Sequence, residues 1–204
     1  MITIIDYGSG NIRAIANIYE KLNIPYLIAK RPDDVIGAKK IFLPGVGAFD
    51  ETISKLDEIG FRSVLDKEVL ENKVPILGIC VGMQILAETS EEGALKGLGY
   101  IKGHVKKFDV TKLEAKPKLP HLGWNSIEIK RKTPLLENID PYKGFYFLHT
   151  YFFECSDDND ALTTTNYGYS FSSAINHNNI FGFQFHPEKS HSNGVNLLHN
   201  FAKL

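Results

Sequence analysis

The chain has 204 residues, 43% of them hydrophobic and 23% charged, enough for one compact α/β domain with a full core. A formal net charge of −1 leaves no electrostatic footprint for wrapping a phosphate backbone or docking on an anionic membrane, so neither nucleic acid nor membrane is expected as a partner. Its two cysteines, Cys80 and Cys155, stand in unlike contexts, imply no disulfide framework, and fit a reducing cytoplasm.

The amino terminus has no basic leader region or small-residue cleavage site and reads as a first strand, Thr3 to Asp6. A helix follows over Ile12 to Leu22, with Ile12, Ile15, Ile18, Tyr19 and Leu22 on one face and Asn11 as its expected N-cap. Strands are expected at Tyr26 to Ala29 and Lys40 to Leu43, helices at Phe49 to Ile59 and around Arg62 to Glu71, then a strand at Val74 to Ile79. The longest apolar stretch, Val74 to Ala87, is interrupted by Pro75, Gly78, Gly82 and Gln84 and is too short for a hydrocarbon core of about 30 Å. Strand and helix alternating in this way predict a mostly parallel sheet flanked by helices. From Gly99 the texture changes to strands joined by turns: Gly103 to Val110, Ser126 to Ile129, Phe145 to Cys155, Ala161 to Thr165, and Phe171 to Asn176 hairpinned to Ile180 to Phe185 through the Asn176-His177-Asn178-Asn179 turn. A helix from Gly194 to Leu204 closes the chain, and with no repeat or linker the antiparallel half belongs to the same domain, residues 1–204.

Gly78-Ile79-Cys80-Val81-Gly82 lies between an apolar strand and a helical pattern. This is the nucleophile elbow with sulfur in place of oxygen: a sharp turn that holds the side chain clear of the sheet. A helix start beside Cys80 favours the thiolate, and the Val81 backbone N–H lies where an oxyanion would form. Cys155 has no such setting and reads as an ordinary thiol. Among seven histidines, His186 alone is delivered by a strongly apolar strand, Phe181 to Phe185, to a sheet edge. Pro187 stiffens the turn there, and Glu188, two positions on, can accept from the imidazole and set its tautomer. The remaining histidines show no zinc-helix spacing, so no metal and no cofactor is expected. Tyr7-Gly8-Ser9-Gly10-Asn11 looks like a phosphate loop but lacks a third glycine and a following Gly-Lys-Ser/Thr.

With GICVGMQ at Gly78 to Gln84 and FHPE at Phe185 to Glu188, in that order, the chain resembles the class I (triad) glutamine amidotransferases. Asp6 to Asn11, Leu43 to Phe49, Pro120 to Asn125 and Phe185 to Ser190 narrow the likeness to the glutaminase subunits of imidazole glycerol phosphate synthases, over essentially the whole chain. The resemblance implies a flavodoxin-like α/β fold with an antiparallel second half. It also implies hydrolysis of L-glutamine to glutamate, with ammonia passed to a separate (β/α)₈ cyclase subunit in a heterodimer that serves histidine biosynthesis.

Carried onto this chain, the resemblance makes Cys80 the residue that forms a γ-glutamyl thioester, His186 the acid and base, and Glu188 its orienter. Gln84 and Glu92 then hold the amino-acid end of the substrate, with a slip onto the neighbouring Glu91 left open, while Gly47, Thr150 and Tyr151 line its pocket. Gly45 and Val46 supply an oxyanion N–H after a peptide flip that the partner encourages, so the free chain is expected to be a poor glutaminase. Tyr7, Asn11, Trp124, Tyr146 and Lys189 match or adjoin partner-facing positions; Trp124, placed in a turn, suits an exposed anchor. Two other readings stay open: a paralogue feeding ammonia to another acceptor, as in cell-surface sugar amination, and a non-catalytic scaffold that regulates a partner.

Overall fold

The computed structural model describes residues 1–114 and 116–204. In chain order the first half forms β1 (Ile2–Ile5), α1 (Ile12–Lys21), β2 (Tyr26–Ala29), β3 (Ile41–Leu43), α2 (Phe49–Ile59), α3 (Phe61–Leu65), β4 (Ile76–Ile79) and α4 (Val81–Gln84). The second half adds β5 (Thr89–Ser90), β6 (Gly103–Lys107), β7 (His121–Asn125), β8 (Glu128–Ile129), β9 (Phe145–His149), β10 (Tyr151–Cys155), β11 (Ala161–Tyr167), β12 (Tyr169–His177), β13 (Ile180–Phe183) and α5 (His191–Lys203). No helix among the described residues is long and apolar enough to cross a membrane.

The main sheet runs β2-β1-β3-β4-β13-β12-β10-β6-β5, with β11 alongside β12 and β8 alongside β11. From β2 to β13 every neighbour is parallel, the flavodoxin-like order; beyond it β12, β10 and β6 are antiparallel. Strands β1, β3, β4 and β13 are buried at every residue. Since successive side chains point to opposite faces, both faces of this region are covered, as parallel sheets require. α1 covers it with Ile15, Ala16 and Tyr19, whose ring meets Phe42 edge-on at 6.4 Å, and α2 with Phe49, Ile53 and Leu56. α2 stops at Gly60, in the left-handed region at φ 89°, whose N–H bonds back to the carbonyls of Leu56 and Asp57.

This arrangement brings four loops to one edge. β1, β3, β4 and β13 are parallel neighbours, so the segments leaving their carboxyl ends, starting at Asp6, Pro44, Cys80 and Gln184, lie side by side in the crevice where open α/β sheets carry their sites.

Several expectations are corrected. Asn11 precedes α1 but its side chain makes no capping bond. The helix expected to Glu71 is α only to Leu65 and continues as a wider π turn over Asp66–Glu71, where the Asn72 N–H reaches the Lys67 carbonyl five residues back. The run Phe145 to Cys155 is two strands in two sheets. β9 pairs with β7, β10 pairs with β6, and the change falls at Thr150. β7 itself, expected as a turn, is a strand: Gly123 sits at φ 118°, and the Pro, Gly and Asn around Trp124 weigh against extension until β9 supplies the partners. The hairpin turn at Asn178 and the closing helix, three residues longer at its start, agree with expectation.

Candidate active site

Cys80 sits at φ 55°, ψ −113°, the strained turn of an elbow between β4 and α4, with its N–H bonded to the Phe183 carbonyl at 2.8 Å. Cys80 itself takes the rotated conformation; the glycines beside it supply clearance. A Cβ on Gly78 would stand 2.4 Å from the Gly82 carbonyl oxygen, and one on Gly82 would stand 2.1 Å from the Leu43 carbonyl oxygen. The turn can therefore fold tightly against the end of β3. Val81 opens α4, so its N–H has no carbonyl in the preceding helical turn to bond, and among the described residues it is left to face an oxyanion beside Cys80.

His186 leaves β13 behind Phe185 and is held by its backbone: its N–H donates to the Tyr146 carbonyl at 2.9 Å, and its carbonyl accepts from the Ser190 hydroxyl at 2.6 Å. Residues 187–189 form a short 3₁₀ turn, which brings the Glu188 carboxylate to 2.9 Å from His186 Nδ1. Both side chains are buried, at 5% and 2% exposure. Burial opposes charge on the ring, but hydrogen bonds to Cys80 and Glu188 and the negative charge of both outweigh it, raising His186 from 6.5 to about 10. Cys80, His186 and Glu188 thus meet in one place, with the buried carboxylate holding the ring at Nδ1.

The three residues face a cleft of about 470 Å³. Val46, Gly47, Val81, Gln84, Glu92, Thr150 and Tyr151 line it too, and Asn11 and Lys189 stand at its wall. Of the two candidate glutamates, Glu92 borders the cleft and accepts from the Phe49 N–H at 2.9 Å, while exposed Glu91 accepts from the Lys107 N–H. Burial chiefly, with nearby Asp50, raises the Glu92 carboxyl above its ordinary value against the Phe49 hydrogen bond, which suits a carboxylate awaiting a cationic partner. Gln84, which could have been a solvated helix residue, is 2% exposed and donates to the Tyr151 carbonyl at 3.0 Å and the Gln184 amide oxygen at 3.1 Å.

Gly45 lies against the Gly82 N–H. Val46 is bonded away from Cys80: its N–H donates to the Ser9 hydroxyl at 3.3 Å, and its carbonyl accepts from the same hydroxyl at 2.6 Å. Tyr7 departs from expectation. It is 2% exposed, its hydroxyl donates to the Pro44 carbonyl, and it braces the end of β3 instead of offering contact surface. Trp124 is on a strand, yet 44% exposed, stacked on His191 with ring centroids 5.3 Å apart. It lies opposite Tyr146, and Leu122 opposite Leu148, so these four share the outer face of the β7–β9 ribbon. Lys189 Nζ lies 5.5 Å from the Tyr146 ring centroid.

Sequence reasoning passed over Gln184, Leu148, Ser9, His121 and His149. Gln184 Nε2 lies 3.8 Å from Cys80 Sγ, and Sγ lies 3.9 Å from the Leu148 carbonyl oxygen. The signal for Gln184 was present: one amide within an otherwise apolar buried strand run. The others depend on which loops meet.

A family model described as "Glutamine amidotransferase class-I" matches residues 3–204. The chain is 50% identical over 204 residues to the Leptospira interrogans protein named imidazole glycerol phosphate synthase subunit HisH, and 48% identical to the Leptospira borgpetersenii protein of that name, all of both chains being covered in each case. The Bdellovibrio bacteriovorus protein of the same name is 48% identical over 205 residues, again with full coverage of both. Among solved structures, a protein described as a GMP synthase subunit, from Thermoplasma acidophilum, superposes with a TM-score of 0.73 at 20% identity, covering 99% of this chain and 92% of that one. A structure described as a glutamine amidotransferase gives 0.72 at 16% identity, covering 100% and 99%; at these identities the likeness is one of fold.

Proposed function

The chain belongs to the class I glutamine amidotransferases, and on that premise we propose that it is the glutaminase subunit of an imidazole glycerol phosphate synthase, serving histidine biosynthesis in the cytoplasm as one domain, residues 1–204. The observation that carries the reading is the convergence on one cleft of Cys80, the Glu188-held His186, and Glu92. In this reading Glu92 receives the ammonium of L-glutamine, and the side-chain amide reaches the sulfur. The Cys80 thiolate attacks the amide carbon, and the oxygen takes the charge and is met by the Val81 N–H. His186 gives its proton to the departing nitrogen, ammonia leaves, and a γ-glutamyl thioester remains. Neutral His186 then takes a proton from water as that water attacks the thioester, and glutamate and the thiolate are restored. Gln84, Gly47, Thr150 and Tyr151 hold the substrate around these steps.

The ammonia acceptor is a separate (β/α)₈ cyclase, bound as a heterodimer over the ribbon face of Leu122, Trp124, Tyr146 and Leu148 with Lys189 and Asn11 at its border. The support is that this apolar face is exposed and continuous with the cleft through Leu148. Gly45 and Val46 complete the oxyanion site once the Val46 N–H leaves Ser9, so hydrolysis by the chain alone is slow. The test is glutamate release by the purified chain with and without the cyclase, beside Cys80→Ala. The reading expects glutamine-dependent synthesis to vanish in Cys80→Ala while synthesis from added ammonium persists, and hydrolysis to rise on complex formation. Equal rates with and without the partner would remove the partner-dependence. A wild-type complex that neither hydrolyses glutamine nor is labelled at Cys80 by a diazo-ketone glutamine mimic would favour the scaffold reading.

A further inference from the structure

His149 lines the cleft between Leu148 and Thr150, and from it a buried polar chain that the catalytic steps do not use runs back into the protein. His121 on β7 and His149 on β9 face each other across the ribbon, 3% and 5% exposed, with Nδ1 of His121 2.9 Å from Nε2 of His149. Each end of this pair meets a group of fixed polarity. His149 Nδ1 lies 2.8 Å from the Tyr151 carbonyl oxygen, which can only accept, so Nδ1 carries the proton. Neutral His149 then presents a lone pair at Nε2, which requires a proton on His121 Nδ1. His121 Nε2 must accept in turn, and Asn125 Nδ2 stands 3.2 Å away to donate. The Asn125 amide is oriented independently, since its oxygen accepts from the Ser126 N–H at 2.9 Å and its nitrogen also donates to the Asn166 carbonyl. One tautomer of each ring therefore satisfies every contact. Burial keeps both rings neutral, pushing His121 down to about 4 and His149, also facing His121 and His186, down to about 3.

We propose that the His121–His149 pair positions the Thr150–Tyr151 wall of the glutamine cleft, by fixing the His149 hydrogen bond to the Tyr151 carbonyl; the proposal rests on the glutaminase reading. The geometry concentrates on that carbonyl: it also accepts from Gln84, which lines the cleft and bonds onward to Gln184 beside Cys80. The wall needs such a hold because the chain changes sheets at Thr150, where the regular ladder is interrupted. Aromatic packing surrounds the pair, with His121 stacked between Phe147 at 4.7 Å and Tyr167 at 4.1 Å. His121 and His149 are positioning residues that touch no reacting atom.

Two substitutions separate positioning from packing. His121→Phe keeps a ring in the stack but leaves His149 Nε2 without a donor. His121→Asn loses the ring but places an amide nitrogen where Nδ1 was. Assayed as complexes with the cyclase, His121→Phe raises KM for glutamine about tenfold with kcat within about threefold, whereas His121→Asn keeps KM within about twofold. The thermal midpoint shifts the other way, with His121→Asn the less stable. An unchanged KM in His121→Phe, a KM that follows the thermal midpoint across the two, or a loss confined to kcat overturns the proposal while wild-type turnover leaves the glutaminase reading standing. A wild-type complex that does not hydrolyse glutamine overturns both.

Discussion

Replacing Glu188 by Gln tests the centre of the mechanism with the least disturbance of shape. Glu188 Oε1 is 2.9 Å from His186 Nδ1 and both side chains are buried, so the substitution converts a charge-assisted hydrogen bond into a neutral one without opening a cavity. Such bonds contribute about 1.5–3 kcal/mol against about 0.5–1.5 for neutral ones, a difference near 1.4 kcal/mol or tenfold in rate. A second cost adds to it. Glu188 Oε2 has no hydrogen-bond partner among the described residues, so one amide position of the Gln variant is also unpaired; if the NH₂ instead turns to His186, the ring is forced into the wrong tautomer. The expected loss in kcat is therefore at least about tenfold with KM little changed. The pH dependence moves as well. His186 is raised from 6.5 to about 10, so in the wild type the charged ring stabilises the fold fully below pH 6.5, and this contribution is lost as pH rises through 10. Glu188→Gln lowers the upper limit, so the alkaline limb of glutamate release and the alkaline fall of the thermal midpoint both begin at lower pH. The assay is initial-rate glutamate release by the complex from pH 7 to 10.5, with the thermal midpoint of the variant chain at pH 7 and its co-elution with the cyclase as the folding controls. A variant within twofold of wild type, with its alkaline limb still near pH 10, would refute the role given to Glu188.

Ser9→Ala removes the hydroxyl that accepts from the Val46 N–H and raises glutamate release by the chain without its partner, about threefold or more, as measured against wild type at saturating glutamine. Trp124→Ala, at an exposed stacked aromatic, weakens cyclase binding by about 2 kcal/mol, read by titration calorimetry, and leaves the diazo-ketone labelling rate of Cys80 in the free chain unchanged. Gly82→Ala places a methyl group 2.1 Å from the Leu43 carbonyl oxygen, an overlap that backbone movement alone can relieve. It costs about 1–3 kcal/mol in urea unfolding and slows Cys80 labelling.

The candidate site was legible in the sequence because its parts are local. A thiol between two glycines at the end of an apolar strand, and a His-Pro-Glu turn at the end of another, each depend on a few neighbouring residues, and so the elbow at Cys80 and the contact between His186 and Glu188 could be expected before any fold was in view. The parallel half was legible for the same reason, since strands buried on both faces read as continuous apolar runs and the helices between them carry one apolar stripe. What the sequence left open was every matter of long-range pairing. β7 is a strand only because β9 lies beside it, and the Phe145 to Cys155 run divides because its halves find partners in different sheets. Tyr7 turned inward because the loops after β1 and β3 meet, and Glu92 rather than Glu91 faced the cleft because the Phe49 N–H held it there. The histidine pair is the clearest case. Twenty-eight residues separate His121 from His149, and only register across the ribbon made them neighbours and fixed which nitrogen of each ring carries the proton.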